Sequence, residues 1–270
     1  MPGLQPALRV AEREAAHVGA PEATLQDVYH RWFRVVRADT PALREAAYRL
    51  RYQVYCVENA FEDPAENPGG METDEFDARS VHSLLFHRPT DQVAGAVRLV
   101  LPDPDNPTGS LPISRVCGHR ALSDPIRLPP ATTAEISRFS ISKGFRRRRV
   151  DGRYPNVPGQ EGMLRSLVED RRVLPHMTLG LMNAIVRMSV ECGVTHWCAV
   201  MEPALLRLLA RFGIRFDPLG PIVDYHGRRQ PVCADADILL AGIWRESPEI
   251  WDVITESGAL WPLPECLKAS

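Results

Sequence analysis

The spacing of apolar and polar residues changes several times along the chain, and each change marks an element. Phe33-Arg-Val-Val-Arg37 alternates loosely and predicts a first strand. Thr40-Pro41 then offers an N-cap and a proline at the first helical position. Leu43, Ala46, Ala47, Leu50 and Val54 follow at helical spacing, which predicts an amphipathic helix to about Cys56. Val81–His87 and Gln92–Leu101 read as strands joined by a turn at Arg88–Asp91, and Glu135–Ser142 as another strand. Leu179, Met182, Val186 and Ser189/Val190 predict a helix over Thr178–Cys192, closed by Gly193. A strand without charge, Thr195–Met201, is followed by a Leu-rich helix that opens at Pro203 and stops at Phe212-Gly213. A last strand pairing falls within Ile214–Asp237, around a Tyr-His-Gly-Arg turn. This order of elements predicts an α/β (α+β) fold with a central mixed sheet flanked by helices.

The stretches between these elements differ in character. Residues 62–73 are rich in Glu, Pro, Asn and Gly and are expected to form a mobile loop, and the proline-rich 102–130 is expected to drape over the sheet edge. Residues 1–30 are Ala- and Glu-rich and read as an N-terminal extension, 31–245 as the main domain and 246–270 as a C-terminal extension.

Composition narrows the function. With 44% hydrophobic and 24% charged residues over 270, the chain has the make-up of an ordinary soluble globular protein, and a net charge of -2 gives no reason to expect nucleic acid. The charge is unevenly spread. Arg138–Pro175 holds ten Lys or Arg against four Asp or Glu, a patch suited to a phosphorylated or acidic partner. The six cysteines show no paired spacing and the eight histidines no metal spacing, so neither a disulfide framework nor a metal site is expected, and a reducing cytoplasm fits best. The start lacks the basic-then-apolar pattern of a signal peptide, and no apolar run is long enough to span a membrane. A peripheral membrane contact stays open.

The candidate chemistry lies in charges set within stretches that otherwise read as buried. Glu135-Ile-Ser-Arg-Phe139 carries a carboxylate and a guanidinium on one strand, and Arg98 stands inside Ala94–Leu101. Arg51 with Tyr55, and Asp74 with Asp77, lie upstream. Burying an unpaired charge costs several kcal/mol, roughly, so such groups persist only when partnered. Strand alternation sends Glu135 and Arg138 to opposite faces, so each is expected to find its partner elsewhere, with Arg98 and the Asp74/Asp77 pair available. Two uses are open for these groups. One is a salt-bridge network pinning the Pro/Gly loop to the sheet, and the other is a catalytic site in which Glu135 takes a proton. Arg146, Arg147, Arg148 and Arg149 read either as a solvated loop or as a docking patch for an anionic donor. Met163, Leu164, Met182 and Met188 read as core or as the border of an acyl tunnel.

These residues carry a resemblance. Arg51 with Val54-Tyr55, Phe61, Asp74 and Asp77, Arg98, and Glu135-Ile-Ser137-Arg138-Phe139 follow the order and spacing of the acyl-homoserine-lactone synthases, within the superfamily of the Gcn5-related N-acetyltransferases (GNAT). The agreement runs over roughly Leu43–Ser142, and beyond it the element order alone agrees. The family's Phe is Tyr55 here and its Trp is Phe61, and long insertions occupy 102–130 and 146–175. The chain resembles more closely the relatives described as exosortase-associated acyltransferases and N-acyl amino acid synthases. The usual acetyl-CoA loop of the superfamily is absent, since Lys143-Gly-Phe-Arg-Arg-Arg-Arg-Val does not match it.

The resemblance implies a GNAT-like fold with a mostly antiparallel sheet, and a cytoplasmic N-acyltransferase with no bound cofactor. A long-chain acyl group would pass from acyl carrier protein or acyl-CoA to a small amine such as an amino acid. It further implies Glu135 as base, with Arg98 and Arg138 organising the site. Arg51, Tyr55, Phe61, Asp74, Asp77, Ser137 and Phe139 would meet the substrate, and Arg146–Arg149 the donor. A lactone synthase using S-adenosylmethionine, and a non-catalytic module that binds acyl carriers, are the alternatives.

Overall fold

The computed structural model describes residues 23–106, 110–146 and 173–268. Helix α1, Leu25–Trp32, is closed at its start by a reciprocal capping box between Thr24 and Asp27, and runs into strand β1, Phe33–Arg37. Thr40 caps helix α2, Pro41–Tyr52, by accepting from the Leu43 N–H, as the sequence predicts. The helix does not stop there. It widens into a π-helical turn over Gln53–Glu58, a form that concentrates at functional sites, and Tyr55 sits on that turn.

Strands β2, Ser80–His87, and β3, Gln92–Val100, form the expected hairpin, and β4 spans Thr133–Ile141. A short helix α3, Lys143–Arg146, follows, and α4, Val173–Cys192, leads to β5, His196–Met201. Helix α5 covers Pro203–Ala210. The two-residue strands β6, Asp217–Pro218, and β7, Val223–Asp224, precede β8, Arg228–Asp235. In the turn between β7 and β8, His226 and Gly227 both have positive φ, which sets the reversal. Helices α6, Ala236–Glu246, α7, Pro248–Thr255, and α8, Glu265–Lys268, complete the chain.

Among the described residues the sheet is eight-stranded, ordered β1-β2-β3-β4-β5-β8-β6, with β7 paired to β8 off that path. All neighbours are antiparallel except β4 and β5, which run parallel. One face carries the main core. There Val97, Leu99, Ala134 and Ile136 pack with α4, α1, α6 and α7, drawing in Leu25, Tyr29, Trp251 and Ile254. A Cβ at Gly180 would stand 2.6 Å from Leu85 Cδ1, so α4 can lie this close to β2 only with glycine there. Met182 and Met188 are fully buried in this core, whereas Met163 and Leu164 lie outside the described residues.

The opposite face is divided. Under α2, Ala47, Leu50 and Val54 meet Leu84 and Ala96. Further along, Leu111, Ile113 and Leu128 meet Val100, Cys198 and Cys233. The proline-rich segment therefore covers the face of β3, β5 and β8 and does not drape over the edge. Its scattered Leu and Ile side chains are what the apolar surface there requires, and in short 3-10 turns they show no period. Arg98 stands on β3 between the two apolar patches, one alternation from Ala96 and one from Val100. The polar site begins there.

Candidate active site

Arg51 projects from α2 and is 1% exposed. Its Nε donates to Glu72 Oε2 at 2.5 Å, and its two Nη atoms donate to the two Asp77 oxygens at 2.7 and 3.1 Å. Arg98, equally buried, donates from Nε to Ser137 Oγ at 2.9 Å and from Nη1 to Asp74 at 2.5 Å and Asp77 at 2.8 Å. Arg138 donates from Nε and Nη2 to Glu72, the shortest contact being 2.7 Å, and from Nη2 to Asp74 at 3.2 Å and Glu62 at 3.4 Å. Three guanidiniums thus share Glu72, Asp74 and Asp77. The loop from 62 to 77 is fastened to α2, β3 and β4 by charge.

Arg138 reaches this cluster because β4 is irregular. Its register against β3 shifts between Ala96 and Arg98, and Arg138 has φ 51°, the left-handed region that a non-glycine residue seldom adopts. The bulge turns Ser137 and Arg138 to the same face and sends Phe139 to the main core, against which it packs. Regular alternation therefore fails at this point. Glu135 and Arg138 share a face, though no ion pair joins them. Strained backbone of this kind gathers at functional sites.

Glu135 is 3% exposed and has a different environment from the other acids. Its Oε2 accepts a hydrogen bond from the Ile113 N–H at 2.6 Å, and its neighbours are the apolar residues under the proline-rich segment. Burial pushes its pKa up to about 8, against the Ile113 hydrogen bond and the more distant Arg98 and Arg138. Burial acts on Glu72 in the same sense, but Arg51 and Arg138 outweigh it and bring that carboxyl down to about 2. For Asp77, too, the Arg51 and Arg98 contacts overcome burial and hold the pKa below the usual carboxylate range. Burial, aided by the Arg51 charge, lowers buried His82 to about 4, although Asp77 Oδ1 lies 3.6 Å from its Nε2.

Glu135 also lies just short of a fork in the sheet. The parallel pairing of β4 with β5 ends at Ile136 with Ala199, while β4 continues to Ile141 and β5 stays with β8. Among the described residues, Ser137–Ile141 has no strand partner on that side.

Aromatic rings line the neighbouring wall. Tyr55 and Phe61 stand 6.1 Å apart with tilted planes, the Arg138 guanidinium lies 5.1 Å from the Tyr55 ring, and that of Arg229 lies 5.1 Å from Phe61. His226, in the β7–β8 turn, meets the Phe61 carbonyl through Nδ1 at 3.0 Å, with Nε2 at 3.6 Å from Glu62.

The structure thus brings together Arg51, Asp74, Asp77, Arg98, Ser137 and Arg138, sets Tyr55 and Phe61 beside them and Glu135 below, and turns Phe139 away. Glu62, Glu72, His226 and Arg229 join the site without having been singled out from sequence. Glu62 and Glu72 lie in a segment whose composition signals only a loop, and their buried partners alone give them away. Arg146 ends α3, whose first N–H, that of Lys143, donates to the Glu58 carboxylate. Arg147, Arg148 and Arg149 lie outside the described residues. Among the described residues no group of three or more His, Cys, Asp or Glu is disposed to hold a metal, and no helix is long and apolar enough to cross a membrane.

Residues 50–153 match the family model of the acetyltransferase (GNAT) domain, a span that holds Arg51, Tyr55, Phe61, Asp74, Asp77, Arg98 and Glu135–Phe139. The chain is similar to the crystal structure of the acyl-homoserine-lactone synthase LasI, at 18% identity over 78% of this chain and 94% of that one, with a TM-score of 0.47. It is also similar to BjaI, a CoA-dependent acyl-homoserine lactone synthase, at 21% identity over 78% and 89%, TM-score 0.49. FeeM, an N-acyl amino acid synthase from uncultured soil microbes, is 13% identical over 79% and 96%, TM-score 0.48. No curated protein matches the chain in sequence. At these identities the structural likeness says nothing of substrate.

Proposed function

Given an acetyltransferase-type domain across residues 50–153, we propose that the protein is an N-acyltransferase. It moves a long-chain fatty acyl group from acyl carrier protein or acyl-CoA to the amine of an amino acid or a similar small amine. The observation that carries this reading is Glu135, a buried carboxyl raised to about 8 and set just below the point where β4 and β5 part. A thioester entering that fork would meet the backbone edge of Ser137–Ile141, which no described strand covers and whose N–H groups suit the oxyanion that develops on its carbonyl.

The chemistry balances with groups at hand. The amine nitrogen attacks the thioester carbonyl carbon, the new N–C bond forms, and the C–S bond breaks. Glu135 accepts the proton the amine must lose, directly or through water, and returns it to the departing sulfur. No covalent acyl-enzyme is needed. Arg98 and Arg138, held by Glu72, Asp74 and Asp77, fix the loop and the bulge that shape the opening. Tyr55 and Phe61 form the acceptor wall, and the Arg146–Arg149 run is assigned to the donor's phosphate or acidic carrier.

The test is mass spectrometry of products from purified protein given long-chain acyl carrier proteins or acyl-CoAs with twenty amino acids, with and without S-adenosylmethionine. An N-acyl amino acid formed without S-adenosylmethionine is the expected result. A lactone formed only with it would make the protein a lactone synthase. Tight carrier binding with no product would make it a binding module.

A further inference from the structure

We propose that Arg229 reads the carboxylate of the acceptor, so that the acceptor is a free amino acid and not a simple amine. This deepens the transferase reading and rests on it. Arg229 enters the site from β8, on the far side of the fork from Arg138, and its guanidinium lies over Phe61 as that of Arg138 lies over Tyr55. The aromatic pair is therefore flanked by a cation at each end.

The two cations are not equivalent. Arg138 is shared among Glu72, Asp74 and Glu62 through Nε and Nη2, so three carboxylates already balance its charge. Arg229 has one carboxylate among the described residues, Glu202, at 2.9 Å. The Arg229 side chain is 12% exposed and that of Glu202 is 50% exposed. A pair with one member half in water contributes little, so another carboxylate can displace Glu202 at small cost. The guanidinium is a planar fork suited to bidentate capture of a carboxylate, and the Phe61 ring lies against this one. Glu62, next to Phe61, partly exposed and 3.4 Å from Arg138, adds negative charge that draws in the cationic amino group before Glu135 takes the proton from the attacking nitrogen. An amino acid lying along Tyr55 and Phe61 satisfies both ends, whereas an amine without a carboxylate satisfies one.

The experiment compares, at fixed acyl donor, the best amino acid acceptor with its carboxamide and with the amine lacking the carboxyl group. The wild-type protein is expected to prefer the amino acid by about 10- to 100-fold in kcat/KM, the range of a charge-assisted hydrogen-bond pair. Arg229→Gln should raise KM for the amino acid by a similar factor and bring the acid-to-amide ratio toward one, while KM for the donor holds. Glu202→Gln breaks the same ion pair but frees Arg229, and should lower KM for the amino acid. A purely structural Arg229–Glu202 pair predicts that the two substitutions act in the same direction. Equal use of acid and amide by the wild-type protein would overturn the assignment, as would a rise in KM in Glu202→Gln. Both of those measurements stand even if Arg229→Gln fails to fold. Absence of acylated product with every acceptor would instead overturn the transferase reading, and this inference with it.

Discussion

Two buried carboxylates on the same side of the sheet have opposite fates. Glu72 is held by the guanidiniums of Arg51 and Arg138 and falls to about 2, while Glu135 receives one backbone N–H under an apolar cover and rises to about 8. Both are almost inaccessible to water, at 2% and 3% exposure, so burial does not separate them. What separates them is the number of cations within reach. A carboxylate with two guanidiniums stays charged and serves as a fixed anchor. One beside the fork with a single neutral donor can gain and lose a proton near neutrality, and this is the division of labour that acid–base chemistry needs.

The comparison can be broken by exchanging one property at a time. Glu135→Gln keeps the shape and the acceptor for the Ile113 N–H but removes the titrating group. Turnover should fall by about 100- to 10,000-fold while urea unfolding shows no loss of stability. An unchanged kcat would remove Glu135 from the chemistry. Glu72→Gln is expected to act in the opposite way, on the fold first. It leaves Arg51 and Arg138 short of a charge in a buried place, at a cost of about 3–5 kcal/mol measured by denaturant unfolding. A loss under about 1 kcal/mol would mean that the remaining acids suffice.

The pH dependence of stability sharpens the contrast, because the two signs differ. Glu135 has its pKa raised on folding from 4.5 to about 8, so its neutral form favours the folded state. That contribution is whole below about 4.5 and is lost as pH rises through about 8. Between pH 5.5 and 7.5 the wild-type protein should lose about 1 kcal/mol per pH unit relative to Glu135→Gln. Glu72 is lowered, so its contribution is present above about 4.5 and disappears as pH falls through about 2. Glu72→Gln should accordingly flatten the acid limb and leave the limb above pH 5.5 alone. A pair of variants with identical profiles would contradict the contrast.

Much of this arrangement is legible in the sequence, and the exceptions have physical causes. The element order and the Thr40 cap follow from spacing and capping chemistry, as do the β2–β3 hairpin and β5. Arg98 stands out because charges rarely occur in such apolar surroundings, and Arg51, Asp74 and Asp77 stand out through the order and spacing that carry the resemblance. Glu72 does not stand out, since its loop is acidic throughout and the two arginines that bury it come from α2 and β4, 21 and 66 residues away. The bulge at Arg138 is equally hidden. Strand alternation assumes regular pairing, and nothing in Ser137-Arg138-Phe139 announces the positive φ that puts Ser137 and Arg138 on one face. The cover over Glu135 is hidden for a related reason, because Leu111, Ile113 and Leu128 are buried from a short 3-10 turn and the bends around it, without any period.

The most direct test of the account is the pH profile of kcat at saturating amine and donor, for the wild-type protein and Glu135→Gln. The wild-type rate should climb about tenfold per pH unit below an inflection near 8 and then level off, as required of a base that must first lose its own proton. The Glu135→Gln rate should be low and lack that inflection. A wild-type profile that is flat from pH 6 to 9, or an inflection that survives in Glu135→Gln, would contradict the claim that Glu135 is the base.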